Sequence, residues 1–349
     1  MHKQYMQRCL LLAKQGAGQV APNPMVGAVL VHEGRIIGEG YHEHYGEAHA
    51  EVHCVNSVQP RDQTLISQST MYVSLEPCVH FGKTPPCADL IIKSKIPRVV
   101  IGCRDSFTEV DGRGIEKLKE AGIEVTTGVL EKESLDLNKR FFTFHTCRRP
   151  YIILKWAQSN DGKIAGTGPA RTMISNDLTR RLVHKWRSEE AAILVGTNTA
   201  LQDDPELTTR LWPGKNPLRL VIDKGLTLPG HLKLLNGSTP TIVFNHLLQE
   251  ERPGLFYLQL KPDEDLLQQI LATLYTRGIQ SMMVEGGAML LQSFIDAGLW
   301  DEARVLCNEQ LTIGEGLLAP VLKNNLLTGE EKIGTDRISF FINRMNSST

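Results

Sequence analysis

The stretch EPCVHFGKTPPC at residues 76–87 identifies the fold of the first half of the chain. An apolar run, MYVSL at residues 71–75, precedes it and predicts a strand, while its Pro-Pro pair predicts a helix that begins at Cys87. Cys78 and Cys87 therefore lie at the end of a strand and at the start of a helix, where ligands gather in α/β folds. Two thiolates in these places indicate a metal site.

A third ligand comes from HAE at residues 49–51, which begins another predicted helix. One imidazole, from His49, and two thiolates fill three tetrahedral positions on Zn²⁺ and leave the fourth to water. Zinc makes such a water nucleophilic near neutral pH, and Glu51 lies where it can shuttle protons from the water to a leaving amine. The pattern predicts a catalytic zinc centre that deaminates a nitrogen heterocycle.

The spacing of the cysteines leaves a structural zinc site open as a second interpretation. Zinc deaminases carry H-x-E followed by P-C-x-x-C, whereas eight residues separate Cys78 from Cys87 here. A fourth protein ligand would close the site and make the zinc structural. Spare ligands lie nearby in sequence at His42, His44, His53, Cys54 and His80. The catalytic interpretation is favoured because an acid–base residue, Glu51, accompanies the three ligands.

The chain of 349 residues, 41% of them hydrophobic, is long enough for two cores of ordinary size. Extended apolar runs alternate with helical ones from Asn23 to about Val129, and the same order returns in the second half. This alternation predicts two α/β domains with layered sheets. A basic, proline-containing link from Cys147 to Pro150 precedes a new strand and places the boundary between residues 1–146 and 147–349.

Charge and hydropathy exclude several classes of protein. The net charge of −1, from 38 basic and 39 acidic side chains, gives no field that would draw the chain onto nucleic acid or an anionic membrane. No window approaches the roughly 20 apolar residues of a membrane-spanning helix, and the amphipathic start lacks the apolar core of a signal peptide. Seven cysteines without an export signal indicate reduced thiols. We expect a cytoplasmic enzyme with no nucleic-acid or membrane partner.

The chain resembles the bifunctional deaminase–reductase family of riboflavin biosynthesis over nearly its whole length. The matching motifs of the first half are PNPMVG at residues 22–27, GEAHAE at residues 46–51 and the stretch at residues 76–87. Those of the second half are LKWAQSNDGKIA at residues 154–165, VGTNT at residues 195–199 and DDPELTTR at residues 203–210. The resemblance implies two three-layer α/β domains, the first similar to cytidine deaminase and the second to dihydrofolate reductase.

By this resemblance, a zinc-bound hydroxide in the first domain displaces the 2-amino group of 2,5-diamino-6-(5-phosphoribosylamino)pyrimidin-4(3H)-one. The second domain then transfers a hydride from NADPH to the ribosyl group and yields 5-amino-6-(5-phosphoribitylamino)uracil, with the cofactor carrying the chemistry. The implied cofactors are Zn²⁺ and NADPH. The implied partners are this phosphoribosyl-pyrimidine and further copies of the chain in a homo-oligomer.

Residues of the deaminase pocket are also implied by the matching motifs. The substrate would contact Asn23, His42, His80 and Lys83. An amide such as that of Asn23 offers both a donor and an acceptor to the edge of a base, and Lys83 is a point charge suited to the substrate phosphate.

Matching positions in the second domain imply contacts with cofactor and substrate. NADPH would contact Ala157, Met173, Thr199, Asp203, Gly286 and Gly287, and the substrate would contact Arg187, Leu207, Arg210 and Glu285. The two arginines suit a phosphate because a guanidinium donates two parallel hydrogen bonds. The glycines follow a predicted strand and precede a predicted helix, so backbone N–H groups can approach a phosphate there. A G-x-G-x-x-G fingerprint is absent, so this assignment depends mainly on the resemblance.

Three other functions stay open at this point. A nucleic-acid editing deaminase would share the metal chemistry, but it needs a basic groove, which the balanced charge disfavours. A zinc-stabilised scaffold would use the metal only for folding, which the presence of Glu51 disfavours. A deaminase with a catalytically inactive reductase domain is compatible with two departures from the family pattern, Asn160 and Met173.

Overall fold

The computed structural model describes residues 2–79, 81, 85–105, 112–168 and 172–345. Contacts divide the chain into two compact units, Met1–Arg148 and Arg149–Thr349. Both units mix helices with a central sheet, which confirms the predicted α/β class. None of the helices within the described residues is long and apolar enough to cross a membrane.

The first unit contains six α-helices and five strands within its described residues. The helices are α1 (His2–Ala13), α2 (Ala50–Asn56), α3 (Cys87–Lys93), α4 (Arg113–Glu120), α5 (Glu131–Leu137) and α6 (Lys139–Cys147). The strands are β1 (Gly27–His32), β2 (Arg35–Tyr41), β3 (Thr70–Leu75), β4 (Arg98–Cys103) and β5 (Glu124–Thr126). Short 3₁₀ helices cover Lys14–Gly16 and Pro60–Gln68.

One mixed sheet runs through this unit in the order β2-β1-β3-β4-β5. Strand β1 is antiparallel to both β2 and β3, whereas β3, β4 and β5 are parallel. The carboxyl ends of β3 and β4 therefore lie at the same edge of the sheet. The segments that follow these two strands, which start at Glu76 and Arg104, begin at that edge.

Side chains alternate between the two faces of this sheet, as the period of a strand requires. Along β1, Ala28 and Leu30 pack in one buried cluster that includes residues of α2, α3 and α4. Val29 and Val31 point the other way and pack against residues of α1. Helices thus cover both faces, which gives the three layers that the sequence resemblance implies.

The second unit contains four α-helices and twelve strands within its described residues. The helices are α7 (Asp177–Glu189), α8 (Thr197–Asp203), α9 (Leu266–Thr276) and α10 (Ala288–Asp296). The first six strands are β6 (Tyr151–Ser159), β7 (Lys163–Gly166), β8 (Ala192–Gly196), β9 (Leu218–Ile222), β10 (Thr241–Asn245) and β11 (Glu250–Arg252). The others are β12 (Leu255–Gln259), β13 (Ser281–Val284), β14 (Glu302–Asn308), β15 (Gly316–Leu318), β16 (Asn325–Ile333) and β17 (Asp336–Asn343).

Ten of these strands form one sheet in the order β11-β12-β10-β9-β8-β13-β6-β14-β17-β16. The strands from β12 to β14 in this order are parallel, and antiparallel strands occupy both edges. Ile152 and Leu154 of β6 pack with α9 and α10 on one face, and Tyr151 and Ile153 pack with α7 on the other. This unit is therefore also a three-layer α/β structure.

The strand pair β16 and β17 extends the sheet beyond what the pattern of the sequence indicates. The hydrophobic pattern predicts β6, β8, β9, β10 and β13, and helices close to α9 and α10, all of which the structure contains. Strand β16, with the sequence NLLTGEEKI, is mostly exposed and lacks a buried apolar face. Its polar composition explains why periodicity did not predict it.

Candidate zinc centre and candidate reductase site

Three segments place the predicted zinc ligands next to one another. His49 immediately precedes α2, Cys78 lies three residues beyond the end of β3, and Cys87 is the first residue of α3. The backbone N–H of Ala88 donates to the carbonyl oxygen of Cys78 at 3.1 Å, which holds the start of α3 beside Cys78. The structure thus brings together the end of a strand and the starts of two helices.

The distances within this cluster fit a tetrahedral zinc ion. Nδ1 of His49 lies 3.5 Å from Sγ of Cys78 and 3.4 Å from Sγ of Cys87. Zinc with ordinary bond lengths to nitrogen and sulfur holds these atoms about 3.5 Å apart when the geometry is tetrahedral. The imidazole therefore presents Nδ1 to the position between the two sulfurs. Within the described part of the chain, the metal-binding cluster consists of these three residues.

Hydrogen bonding between the two thiols shifts their pKa values in opposite directions. A hydrogen bond from the Cys87 thiol lowers the pKa of Cys78 to about 4, with a further contribution from His49. The same hydrogen bond raises the pKa of Cys87. The backbone N–H of Cys87 also donates to Sγ of Cys78 at 3.3 Å. Cys78 is thus stabilised as a thiolate, the form in which cysteine binds zinc.

Glu51 lies beside the cluster in the first turn of α2 and is only 3% exposed. Burial raises the pKa of its carboxyl group, and the charge of Cys78 raises it further. A carboxyl with a raised pKa can hold a proton near neutral pH and release it to a reacting group. Its placement fits the predicted role as a proton shuttle.

Asn23 and His42, which the sequence assigns to the substrate pocket, contact each other. Nδ2 of Asn23 lies 3.1 Å from Nε2 of His42, and Nδ1 of His42 lies 3.1 Å from the carbonyl oxygen of Ala48. Burial lowers the pKa of His42, so its ring is neutral. The ring also packs edge-on against His49, with centroids 5.2 Å apart. His80 and Lys83 lie outside the described residues.

In the second unit, Glu285 and Arg187 form a buried ion pair. Nε and Nη2 of Arg187 donate to the two carboxylate oxygens of Glu285 at 2.8 and 2.7 Å, and Nη1 donates to the carbonyl oxygen of Thr208 at 3.2 Å. The side chains are only 11% and 6% exposed. The structure thus brings two predicted substrate residues together, but the parallel donors of Arg187 are directed at Glu285.

Further charged groups surround this pair. Burial opposes ionisation of Glu285, but Arg187 and Lys155 outweigh that effect and lower its pKa to about 2. Nζ of Lys155 lies 3.7 Å from the carboxylate. Burial, together with the charges of Arg187 and Arg210, lowers the pKa of His184 to about 4. The site therefore holds a permanent carboxylate, cations and a neutral imidazole.

Three predicted cofactor residues also meet in this unit. A Cβ at Gly286 would lie 3.0 Å from Cβ of Val195 and 3.1 Å from Oγ1 of Thr199. Gly287, with φ of +54°, precedes α10 and adopts the left-handed region that side chains disfavour. A side chain at either position would crowd Thr199. The two glycines therefore allow the chain that begins α10 to pass close to Thr199.

The other predicted reductase residues lie in different surroundings. Ala157 is on β6, Asp203 ends α8, and Met173 is 54% exposed. Leu207 packs in a buried cluster with φ of +54°, so only its backbone can contact a substrate. Arg210 is half-exposed and lies 3.5 Å from Glu206. It lines an open cavity of about 670 Å³ together with Arg181, Thr208 and Trp212.

Comparisons with known proteins agree with the two predicted domains. Residues 1–103 match the cytidine and deoxycytidylate deaminase zinc-binding region, and residues 150–316 match the RibD C-terminal domain. The riboflavin biosynthesis protein RibD of Aquifex aeolicus is 42% identical, over 97% of this chain and 98% of that protein. RibD of Bacillus amyloliquefaciens is 41% identical, over 95% and 89%.

The chain belongs to the RibD family.

A solved structure shows the same fold over the same length. It is the diaminohydroxyphosphoribosylaminopyrimidine deaminase/5-amino-6-(5-phosphoribosylamino)uracil reductase of Thermotoga maritima, 37% identical, with a TM-score of 0.89 and coverage of 98% of both chains. The predicted fold, with its cytidine-deaminase-like and reductase domains, is confirmed. This RibD-family chain is an enzyme with a zinc-binding deaminase domain and a reductase domain, and the predicted cofactors Zn²⁺ and NADPH agree with that pairing. The comparisons offer no support for an inactive second domain.

Sequence reasoning missed three residues that the structure places at or beside the sites. Glu76, which directly precedes Pro77 and Cys78, is buried among backbone donors. Lys155 lies beside Glu285, and His184 lies on α7 one turn before Arg187. A lone lysine in the apolar run YIILKWA and a histidine at the i,i+3 spacing from an arginine were the available signals. Both are common in ordinary proteins.

Proposed function

We propose that this enzyme acts on 2,5-diamino-6-(5-phosphoribosylamino)pyrimidin-4(3H)-one and converts it in two steps to 5-amino-6-(5-phosphoribitylamino)uracil. Residues 1–146 would remove the 2-amino group by hydrolysis, and residues 147–349 would reduce the ribosyl group to ribityl. The family and the match to the Thermotoga maritima enzyme support this substrate. The observation that carries the proposal is the placement of His49 Nδ1 at zinc-compatible distances from both thiols, with Glu51 buried beside them.

In the deamination step, His49, Cys78 and Cys87 would hold the zinc ion. When bound, zinc would supply a nucleophile at neutral pH by lowering the pKa of a water molecule. Glu51 would accept the proton released when water adds to C2 of the pyrimidine and would pass it to the 2-amino nitrogen, so that the C2–N bond breaks and ammonia leaves. Because its pKa is raised by burial, Glu51 can carry the proton between these positions.

The residues around the zinc centre would orient the pyrimidine. Asn23 offers its amide to the edge of the base and is itself oriented by His42. His42 is held in turn by the carbonyl oxygen of Ala48. By resemblance, His80 and Lys83 would also contact the substrate, and the charge of Lys83 would suit the substrate phosphate.

In the reduction step, NADPH supplies the hydride. Thr199, Gly286 and Gly287 would hold its phosphates, because the two glycines keep side chains away from the start of α10. Ala157, Met173 and Asp203 would complete the cofactor site. Leu207 would contact the substrate through its backbone.

The charged residues of the second unit would bind the sugar phosphate. Arg210 is half-exposed beside an open cavity, which suits it to the phosphate. Arg187 is engaged by Glu285, so we assign the Arg187–Glu285 pair to orienting the sugar rather than to bidentate binding of the phosphate. We further propose that the enzyme acts in the cytoplasm as a homo-oligomer.

The test is an assay of zinc-loaded protein with the diaminopyrimidine phosphoriboside, in which ammonia release and NADPH absorbance are followed together. Glu51→Ala serves as the comparison, since it removes the proposed proton shuttle and keeps the three ligands. We expect ammonia release and NADPH oxidation from the wild type, and neither from the variant. The variant should still oxidise NADPH when the deaminated intermediate is supplied.

Each half of the proposal can fail separately in this assay. Ammonia without NADPH oxidation would contradict the reductase assignment and favour a deaminase with an inactive second domain. No ammonia from the zinc-loaded wild type would contradict the deaminase assignment for this substrate. Full ammonia release from Glu51→Ala would be compatible with the assigned substrate, but it would show that Glu51 is not the proton shuttle.

A further inference from the structure

Glu76 is a buried acid that lies outside the metal-binding cluster and, among the described residues, forms no ion pair that would explain its burial. It follows the last residue of β3 and directly precedes Pro77 and Cys78. Its residue is only 4% exposed, and its own backbone N–H donates to the carbonyl oxygen of Cys103 at 3.0 Å. A carboxylate is costly to bury without compensation, so its partners must account for its place.

Those partners are four backbone N–H groups from two other segments. Oε1 accepts from Gly114 at 2.9 Å and from Ile115 at 3.2 Å, and Oε2 accepts from Asp105 at 3.2 Å and from Gly112 at 3.1 Å. Gly114 and Ile115 belong to the first turn of α4, whose N-cap residue makes no side-chain cap. The carboxylate of Glu76 therefore caps α4 and ties it to the segment after β4.

The same contact brings α4 against the residue that precedes Cys78. A Cβ added to Gly114 would lie 2.2 Å from the carbonyl oxygen of Pro77 and 3.1 Å from the side chain of Glu76. Only glycine permits this approach. The ring of Pro77 fixes its φ and restricts the backbone of Glu76, so the chain between Glu76 and Cys78 has little conformational freedom. The position of Glu76 therefore restricts the position of Cys78.

Cys78 is consequently fixed from two sides. Glu76 and Gly114 hold the chain just before it, while Ala88 and Cys87 of α3 donate to its carbonyl oxygen and its sulfur. Groups that orient a metal ligand govern the affinity of the site as well as its geometry. Glu76 thus supports Cys78 from the side that precedes it in the chain, and α3 supports it from the other side.

We propose that Glu76 is a positioning residue of the metal centre: its carboxylate, by binding four backbone N–H groups, sets the place of Cys78 and thereby the affinity and geometry of the zinc site. The inference rests on the proposed zinc centre but does not depend on which heterocycle the enzyme deaminates. It concerns a residue that acts through Cys78 and does not touch the substrate.

The experiment replaces Glu76 by glutamine, which keeps the size of the side chain and loses acceptor capacity for the four donors. The zinc dissociation constant of the full-length protein is measured by competition with a chelator, and the visible absorption of the Co²⁺-loaded protein reports ligand geometry. We expect the dissociation constant to rise about tenfold or more. We also expect the Co²⁺ bands to shift, which a loss of stability alone would not cause.

Asp62→Asn is the matched control because Asp62 is a second buried acid of the same unit. Its carboxylate pairs with Arg35 at 2.8 Å and contacts none of the metal ligands in the described structure. We expect this variant to bind zinc and Co²⁺ like the wild type. An equal weakening in Asp62→Asn would overturn the proposal, since it would show that general destabilisation loosens the site.

A second variant keeps the proposal testable if Glu76→Gln does not fold, as judged by circular dichroism. Gly114→Ala keeps the carboxyl group of Glu76 in the chain, but its methyl group would displace the carbonyl of Pro77 and press on the Glu76 side chain. A raised zinc dissociation constant in a folded variant supports the proposal, and wild-type zinc affinity with an unchanged Co²⁺ spectrum overturns it. These readouts need no substrate, so failure of the proposed deamination in the wild type would be seen separately.

Discussion

The two candidate sites of this enzyme are built on different principles. The zinc centre gathers one imidazole and two thiols from three separate segments, and the thiolate form of Cys78 is stabilised by neighbouring hydrogen bonds. The reductase site instead contains a compensated cluster of full charges, with Glu285 bonded to Arg187 and close to Lys155. The positive charge of the first site would come from a bound metal ion. The charges of the second site belong to the side chains themselves.

This difference determines how each site responds to substitution. We expect loss of the proposed acid–base group, Glu51, to slow the proposed deamination and to leave the fold intact. Loss of one partner from the buried ion pair leaves an uncompensated charge in the protein interior, so it damages stability as well as activity. Four substitutions test this contrast.

The largest effect is expected from Glu51→Gln. Without the proton shuttle, the rate of ammonia release should fall by about 10²- to 10⁴-fold. Zinc content should stay at the wild-type level, because Glu51 is not among the three ligands. Metal analysis and an ammonia assay on the same sample check both statements. Loss of zinc from the variant would show that the carboxylate also supports the metal site. The two sites would then not differ in how they respond to substitution.

Glu285→Gln should destabilise the second unit by about 3–5 kcal/mol, since the guanidinium of Arg187 would stay buried without its counter-charge. All four tryptophans, Trp156, Trp186, Trp212 and Trp300, lie in this unit, so tryptophan fluorescence during urea unfolding reports on it alone. Reductase activity should also be lost.

Glu250→Gln is the control for this measurement. Glu250 pairs with Arg252 at 2.7 Å, but both side chains are exposed, so its loss should leave the unfolding curve almost unchanged. A destabilisation as large as that of Glu285→Gln would mean that burial does not distinguish the two pairs.

Gly286→Ala should raise the KM for NADPH about tenfold, a cost near 1.4 kcal/mol. The added methyl group would meet Val195 and Thr199 and displace the start of α10. Gly230→Ala provides the comparison, because a Cβ there would meet nothing within 4 Å. Steady-state kinetics with varied NADPH measures both variants. An unchanged KM in Gly286→Ala would place the cofactor phosphates elsewhere.

The smallest effect at neutral pH is expected from His184, whose contribution to stability changes only as the pH is lowered. Its pKa is lowered to about 4 in the folded chain, against an ordinary value near 6.5 in the unfolded chain. Between these values the unfolded state binds the proton and the folded state does not, so the free energy of unfolding falls as the pH falls. The slope for one proton is at most about 1.4 kcal/mol per pH unit.

His184→Gln should remove this slope. Urea unfolding between pH 4.5 and 6.5 tests it, a range that lies above the window in which Glu285 takes up a proton. The same pH dependence in the variant as in the wild type would show that another group is responsible.

The zinc centre was predictable because its chemistry restricts residue types. Few side chains bind zinc, so a histidine and two cysteines at strand ends and helix starts, with a glutamate two residues from the histidine, identify the centre without a structure. The distances of 3.4 and 3.5 Å around His49 agree with that prediction. Glu76 was not predicted, because nothing in the sequence shows that four backbone N–H groups converge on it.

The reductase site was predictable only through resemblance. Arginine, glutamate and paired glycines occur in most proteins, so their types alone indicate no function. In the structure, Arg187 pairs with Glu285, whereas Arg210 is half-exposed. From the sequence alone, the two arginines have the same predicted role.

The sequence by itself indicated the α/β class of both halves, the positions of their main strands along the chain and the three candidate zinc ligands, since hydrophobic period and ligand chemistry are both local properties. The tertiary structure alone decided which charges are paired, where Leu207 turns inward and how Glu76 supports Cys78. It also added β16, whose pairing with β17 depends on a partner strand rather than on its own apolar pattern. Contacts between distant residues arise only when the chain has folded, and no local pattern records them.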